Sequence, residues 1–225
     1  MTTSETLGYE DLPGLMARMT GDEKHDPASS STIDVVWALY DRVLDIPAPD
    51  HPDRDRFYLS KGHGPVAYYA VLAAKGLLDV DVLEGFASFD SPLGHHPDRR
   101  LVDAVEISSG SLGHGLALAI GATIGRVLRG DEGRSFVLLG DGELDEGSVH
   151  ESIALAGRLG LGRLTAIVVD NRSSLLGWDG GIAERFLVEG WDAEVVDGRD
   201  HDALAAALAS PHPDRPKVVV AEVLR

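Results

Sequence analysis

The stretch Gly140–Ser174, GDGELDEGSVHESIALAGRLGLGRLTAIVVDNRSS, decides the fold. An apolar run, Ser135–Leu139, leads into it and stops at Asp141, a carboxylate flanked by Gly140 and Gly142. A second run, Leu164–Val169, stops at Asp170 and Asn171. Short apolar runs bounded by turn residues read as buried strands, and Val149–Leu159 between them has helical spacing. A strand–helix–strand unit is right-handed, so both strands point the same way and end on one edge of the sheet, where open α/β folds bind ligands. Asp141 and Asn171 then occupy adjacent strand tips. Hard oxygen donors in that position suit Mg²⁺, which takes carboxylate, amide and backbone oxygens together with ligand phosphate. Gly140 and Gly142 let the backbone approach a bulky anion. Ser148 and Glu151 have capping-box spacing, which places a helix N-terminus just beyond. Each piece alone is ordinary turn chemistry. The ordered combination carries the information.

Outward from this unit the alternation continues. Ile182–Val188 reads as a helix, Ala193–Val196 as a strand, His201–Leu208 as a helix and Lys217–Val223 as a strand. Upstream, a weak helical stretch covers Leu12–Met19. Ser31-Thr32-Ile33-Asp34 has Ser-x-x-Asp helix-start spacing, and Val35, Val36, Leu39, Tyr40 and Val43 follow at helical intervals. Pro47, Pro49 and Pro52 end that helix. Arg56–Leu59 reads as a short strand, Gly64–Ala74 as a buried helix stopped by Gly76, Asp79–Phe86 as another helix, and Ser88–Asp103 as a loop. Leu112–Leu128 is a helix rich in Gly and Ala, suited to close packing. Strands alternating with helices predict an α/β fold: a mostly parallel sheet with helices on both faces, in a single domain spanning 1–225.

Composition bounds the function. The chain has 225 residues and a formal net charge of −17. That charge argues against nucleic acid and anionic membrane as partners. It also means that a phosphate ligand must be held by a local cation or by backbone N–H groups. Cys is absent, which excludes disulfides and thiolate chemistry within these residues. No apolar run is long enough to span a membrane. The first twenty residues carry Glu5, Glu10 and Asp11 without an early basic cluster, unlike a targeting peptide. A cytoplasmic protein is expected. The sequon Asn171-Arg172-Ser173 is discounted for the same reason.

The joint pattern of strand, Gly-Asp-Gly, Glu146, helix, strand and Asn171 resembles the thiamine diphosphate motif of the transketolase family. Upstream segments resemble the same family in collinear order. They are Ser60-Lys61-Gly62-His63-Gly64, Gly94-His95-His96-Pro97-Asp98 and Ser109-Gly110-Ser111-Leu112-Gly113-His114-Gly115. His25 stands at the place of the first family histidine. The resemblance implies a thiamine-diphosphate-binding fold and the cofactors thiamine diphosphate and Mg²⁺. Asp141, Asn171 and the carbonyl of Ser173 would hold the metal. Gly142 would approach the diphosphate, and Glu146 would lie between cofactor sites. The Gly110 carbonyl would accept from the aminopyrimidine amine, and Leu112 and Leu175 would pack against the cofactor. His25, His63 and His96 would face the cofactor and the transferred two-carbon unit; imidazoles can donate and accept protons near neutral pH. Taken singly, each histidine has a plainer reading. His25 lies in a polar loop, His63 could cap the next helix, and His95, His96 and Asp98 could suggest a metal site, although no standard zinc spacing matches.

The sequence also departs from the family. Asp-Pro-Ala-Ser-Ser follows His25, His114 replaces a Gln, and Arg-Ser-Ser-Leu-Leu-Gly-Trp follows Asn171. The family's later Lys-Gly-Lys-Gly segment and its pyrimidine-binding domain are not among these residues. The resemblance therefore implies the N-terminal subunit of a split transketolase. Such a protein would transfer a ketol unit from a ketose or ketose phosphate, and would be catalytic only with a pyrimidine-domain partner in a 2+2 heterotetramer. Two-carbon acyl transfer to a carrier protein and a non-catalytic regulatory role are the alternatives.

Overall fold

The sheet holds five strands, all parallel: β1 (Arg56–Leu59), β2 (Ser135–Gly140), β3 (Leu164–Asp170), β4 (Asp192–Asp197) and β5 (Lys217–Glu222). Their spatial order is β1-β2-β3-β5-β4. The structure, a computed structural model, describes residues 7–20 and 30–223. The expected histidine at position 25 lies outside the described residues.

Alternation along the strands divides the core in two. Phe57, Leu59, Phe136, Leu138, Ile167 and Val169 point to one face. There they pack against α1 (Leu12–Met16), α2 (Ile33–Arg42), α3 (Pro65–Ala74) and α7 (His201–Ala209). Tyr58, Val137, Leu139, Ala166 and Val168 point to the other. That face is covered by α4 (His114–Arg129), α5 (Gly147–Leu159) and α6 (Ile182–Leu187). The central strands are buried on both faces, so β2 reads as an unbroken apolar run. Each fully buried aliphatic or aromatic side chain contributes about 1.5–3 kcal/mol. The two faces together therefore dominate the energetics.

The strand–helix order matches the expectation, with differences in detail. Val80–Gly85 is a 3-10 helix rather than an α-helix. α4 begins two residues after the expected Leu112, because Gly113 turns left-handed at its N-cap. The capping box expected from Ser148 does not form. α5 is capped from Glu146 with no side-chain cap bond, and Ser148 Oγ instead donates to the carbonyl of Gly113 (2.9 Å). α2 starts after Thr32 without a side-chain cap bond.

Asp34 is diverted to a tertiary task. Its buried carboxylate accepts from the hydroxyl of Tyr9 (2.6 Å), from Arg199 (2.5 Å) and contacts His201 Nε2 (2.8 Å). These bonds tie the N-terminal segment, α2 and the start of α7 together. Burial raises the pKa of Asp34, but the bonds from Tyr9, Arg199 and His201 outweigh it and hold the carboxyl below its usual range. Burial and Asp34 together push Tyr9 up to about 12.

A carboxyl with a depressed folded-state pKa stabilises fully above its unfolded pKa, and the contribution fades as pH falls through the folded value. Asp34→Ala is expected to cost about 2–4 kcal/mol near neutral pH, since it strands Arg199 and the Tyr9 hydroxyl. The deficit relative to wild type should start to shrink as the pH falls below the ordinary aspartate value of about 4 and should close as it passes through the lower folded-state value. Urea melts at pH 7 and pH 3.5 measure both.

Candidate functional site

Three neighbouring strands end at one edge, and the loops leaving them build the site. β1 runs into 60–64, β2 into Asp141 and the 3-10 turn Gly142–Asp145, and β3 into 171–181. A fourth segment, 109–113, reaches the same edge as it enters α4.

Asp141 is 2% exposed. Its carboxylate accepts from the backbone N–H of Ser173 (2.5 Å) and of Ser174 (3.0 Å), and from the Ser173 hydroxyl. The turn after β2 is thus locked to the loop after β3. Gly142 faces that loop: a Cβ there would sit 3.6 Å from the Ser173 carbonyl oxygen. Asn171 Oδ1 is buried and has no hydrogen-bond partner among the described residues. An acceptor left this way costs about 1–3 kcal/mol, so its burial makes sense when something outside the chain binds it. A carboxylate, an amide oxygen and a carbonyl form the hard, all-oxygen set that Mg²⁺ accepts alongside phosphate. Among the described residues no three His, Cys, Asp or Glu side chains group as metal ligands. This removes the metal reading of His95, His96 and Asp98.

The second half of the site is built on Gly110, whose φ of 118° favours glycine. A Cβ on it would lie 2.7 Å from the His96 ring, so the imidazole packs directly on its backbone. Leu112 reaches to within 3.2 Å of where a Gly62 Cβ would be, beside the Gly110 carbonyl. His96, Gly110, Leu112 and Gly62 therefore converge. His95 turns away and packs edge-on against buried Phe86 (5.5 Å), which separates the two adjacent histidines by role. His63 is exposed just ahead of α3, whose N-cap residue is Gly64. Glu146 is exposed and abuts Gly113. Leu112 is 43% exposed and Leu175 is 95% exposed.

Buried charges link the halves, and no spacing in the sequence predicts them. Glu143, 3% exposed, accepts from the Ser60 hydroxyl, from Gly113 N–H (2.9 Å) and from Gly140 N–H (3.4 Å). Burial pushes its carboxyl up, against the lowering effect of those bonds and of Lys61. Lys61 is buried, donates to the His63 carbonyl (2.7 Å) and runs along Gly140. Burial brings its ammonium down to about 8, despite Asp141 and Glu143. Both residues lie within the motif segments, but their pairing is long-range and leaves no local signal.

The loop after Asn171 is held from below. Arg185 donates to the Leu144 carbonyl and to His150 Nε2 (2.6 Å), and its guanidinium lies 5.1 Å over the Trp178 ring. Burial first, then Arg185, lowers the His150 pKa, in keeping with a neutral acceptor. A cavity of about 230 Å³ opens between this loop and α6, lined by Asp141, Arg172, Ser174, Trp178 and Arg185 among others.

Residues 19–224 match the family described as transketolase, thiamine diphosphate binding domain. A protein from Rhodococcoides fascians named ferredoxin fas2 is 55% identical, over 97% of this chain and 73% of its own length. One of the subunits of an apulose-4-phosphate transketolase, from Actinobacillus succinogenes, is 33% identical, over 89% of this chain and 76% of its length. A transketolase from Cereibacter sphaeroides is 35% identical over 83% of this chain, which spans only 31% of that relative. The crystal structure of transketolase from Campylobacter jejuni superposes with a TM-score of 0.77 at 26% identity, over 95% of this chain and 36% of that one.

The two strand-tip side chains should separate by their effect on folding. Asn171→Ala removes an acceptor that has no partner among the described residues, and is expected to leave stability unchanged or to raise it by up to about 1–3 kcal/mol. Asp141→Ala removes the acceptor of three donors and should cost about 1–3 kcal/mol. Both should abolish Mg²⁺-dependent binding of thiamine diphosphate. Thermal melts and calorimetry on the two variants check this, and unchanged cofactor affinity in both would rule out the metal site.

Proposed function

The chain belongs to the transketolase family of thiamine diphosphate-binding domains, and from that premise we propose that it is the diphosphate-binding subunit of a split ketol transferase. The observation that carries the reading is the Oδ1 of Asn171 just past the tip of β3, buried and without a hydrogen-bond partner among the described residues; at the same sheet edge Asp141 is bound to Ser173, whose carbonyl faces Gly142. A scaffold has no use for a stranded acceptor there. The Actinobacillus relative is named as one subunit of a transketolase and is matched over most of its length, which supports a divided enzyme.

Asp141, Asn171 and the Ser173 carbonyl hold Mg²⁺ in this proposal, and Gly142 faces the diphosphate. When bound, thiamine diphosphate supplies the nucleophilic carbon and electron sink for cleaving a bond next to a carbonyl. The chain's own residues orient and move protons. The Gly110 carbonyl accepts from the aminopyrimidine amine. His96, seated on Gly110, and His63, with His25 beyond the described residues, exchange protons with substrate hydroxyls. Leu112 and Leu175 cover the apolar faces of the ligand. Glu146 lies toward the neighbouring cofactor site. One domain, 1–225, makes up this half of the enzyme. A ketose phosphate is the donor class.

The relative named ferredoxin suggests a second reading, electron transfer. The absence of cysteine excludes a thiolate-ligated iron–sulfur cluster within these 225 residues. Ketol transfer remains the better account.

The partner carries the pyrimidine-binding domain, in a complex of two chains of each kind. Its landing surface is the outer side of α4 and α5. Inner residues of α4, Leu116, Ala119, Ile120 and Thr123, are buried on the sheet. Outer residues Leu118 and Leu128 are exposed, as are Leu155 and Leu159 of α5, the helix against α4. A Cβ on Gly121 would meet nothing within 4 Å. A helix-interior glycine costs about 1 kcal/mol relative to Ala, and no packing within this chain offsets that cost at Gly121.

His96→Ala and His63→Ala are expected to lower turnover roughly 10²–10⁴-fold, while changing cofactor affinity about threefold or less. Steady-state kinetics with the partner present measures the split, and near-wild-type rates in both variants would return these residues to structural roles.

This chain purified alone should cleave no ketose phosphate, and should do so when mixed with the pyrimidine-domain protein encoded beside it. A bulky Gly121→Leu change should block assembly, read by sedimentation, without lowering the melting temperature of the single chain. Robust turnover by the single chain would overturn the split-enzyme reading.

A further inference from the structure

We infer that Glu143 is the positioning residue of the cofactor site, setting the loop that presents Gly110 and Leu112 against the turn that presents Asp141. The inference rests on the cofactor reading above. The carboxylate lies at the meeting point of three chain segments. It accepts from Ser60 in the loop after β1, from Gly113 at the N-cap of α4, and from Gly140 at the tip of β2. Ser60 Oγ in turn accepts from Gly115 N–H (3.0 Å), in the first turn of α4. One acid and one hydroxyl thus satisfy backbone donors at the start of a sixteen-residue helix, where anionic groups are favoured and N–H groups otherwise lack partners.

The fit leaves no slack. A Cβ on Gly115 would fall 2.2 Å from Ser60 Cβ, and one on Gly113 would fall 2.5 Å from Ser148 Oγ. Gly110 and Leu112 lie only one to three residues before Gly113, so their placement follows from the anchor. Glu143 itself is 3% exposed and committed to three donors, which leaves it no route to substrate. Its task is geometric. Small errors in such placement weaken sites out of proportion to their size.

Two measurements on the intact chain test this. The first is amide hydrogen exchange without ligand. Glu143→Ala should speed exchange across 110–116 about tenfold or more while β2 and β3 keep their protection. Glu143→Gln keeps an acceptor oxygen for Ser60 and Gly113 and should restore most of it. Unchanged protection at 110–116 in the Ala variant would overturn the inference, as would an equal loss across the whole sheet. The second compares thiamine diphosphate with inorganic diphosphate, each with Mg²⁺, by calorimetry. Ser60→Ala loosens the 113–115 anchor but leaves Asp141, Asn171 and Gly142 in place. It should weaken thiamine diphosphate about tenfold and inorganic diphosphate less than about twofold. Equal weakening of both, or of neither, would count against positioning. Failure of the wild-type chain, alone and with its partner, to bind thiamine diphosphate would overturn the cofactor reading instead, while the exchange result would still judge the anchor.

Discussion

Two buried carboxylates two positions apart, Asp141 and Glu143, are the constraint around which the functional edge is arranged. A desolvated carboxylate is tolerated only when donors surround it. The chain supplies four of those donors from backbone N–H groups, Ser173 and Ser174 for Asp141 and Gly113 and Gly140 for Glu143, and two from the hydroxyls of Ser173 and Ser60. Satisfying the two acids therefore fixes where four loops sit. The buried cation beside them, Lys61, feels both acids. Burial lowers its own pKa, and its ammonium donates to the His63 carbonyl. The order of the edge comes from hydrogen bonds to charge, each worth about 1.5–3 kcal/mol.

This solution suits a chain of net charge −17 that must hold a diphosphate. An acidic surface repels phosphate at long range. Parallel strands bring all their C-terminal ends to one edge, and glycine at those ends exposes N–H groups without side-chain bulk. A Cβ on Gly110 would crowd the His96 ring, whereas one on Gly142 would make only ordinary contact with Ser173. Short-range backbone chemistry thus replaces the basic patch that the composition lacks.

The architecture is legible in the sequence because its signals are local. Apolar runs bounded by glycine and proline mark the strands, and burial on both faces makes those runs continuous. The strand-tip oxygens follow from the handedness of crossovers. What stays hidden is long-range or conditional. Ser31 to Asp34 and Ser148 to Glu151 have capping spacing, yet Asp34 is claimed by Tyr9, Arg199 and His201, and Ser148 by Gly113. Tertiary partners outcompete local ones, and no spacing rule records that. His95 and His96 are equivalent in sequence. Only packing on Phe86 and on Gly110 tells them apart. Glu143 reads as an exposed turn residue because its three donors are distributed from position 60 to position 140.

The glycines of α4 carry the argument to its last step. Gly115 is explained within the chain, since Ser60 occupies the space of its missing side chain. Gly121 is not, because its surroundings are open on the side where Leu118 and Leu128 are exposed. The same helix thus uses one glycine to meet its own site and another to meet nothing in this chain. A helix that anchors the cofactor loop at its N-terminus and offers an unoccupied close-packing face farther along links the two regions mechanically. Anything seated on Gly121 bears on the element whose first turn is tied by Ser60 and Glu143. In the proposed two-subunit enzyme, a partner seated on α4 would bear on the helix that follows Gly110 and Leu112.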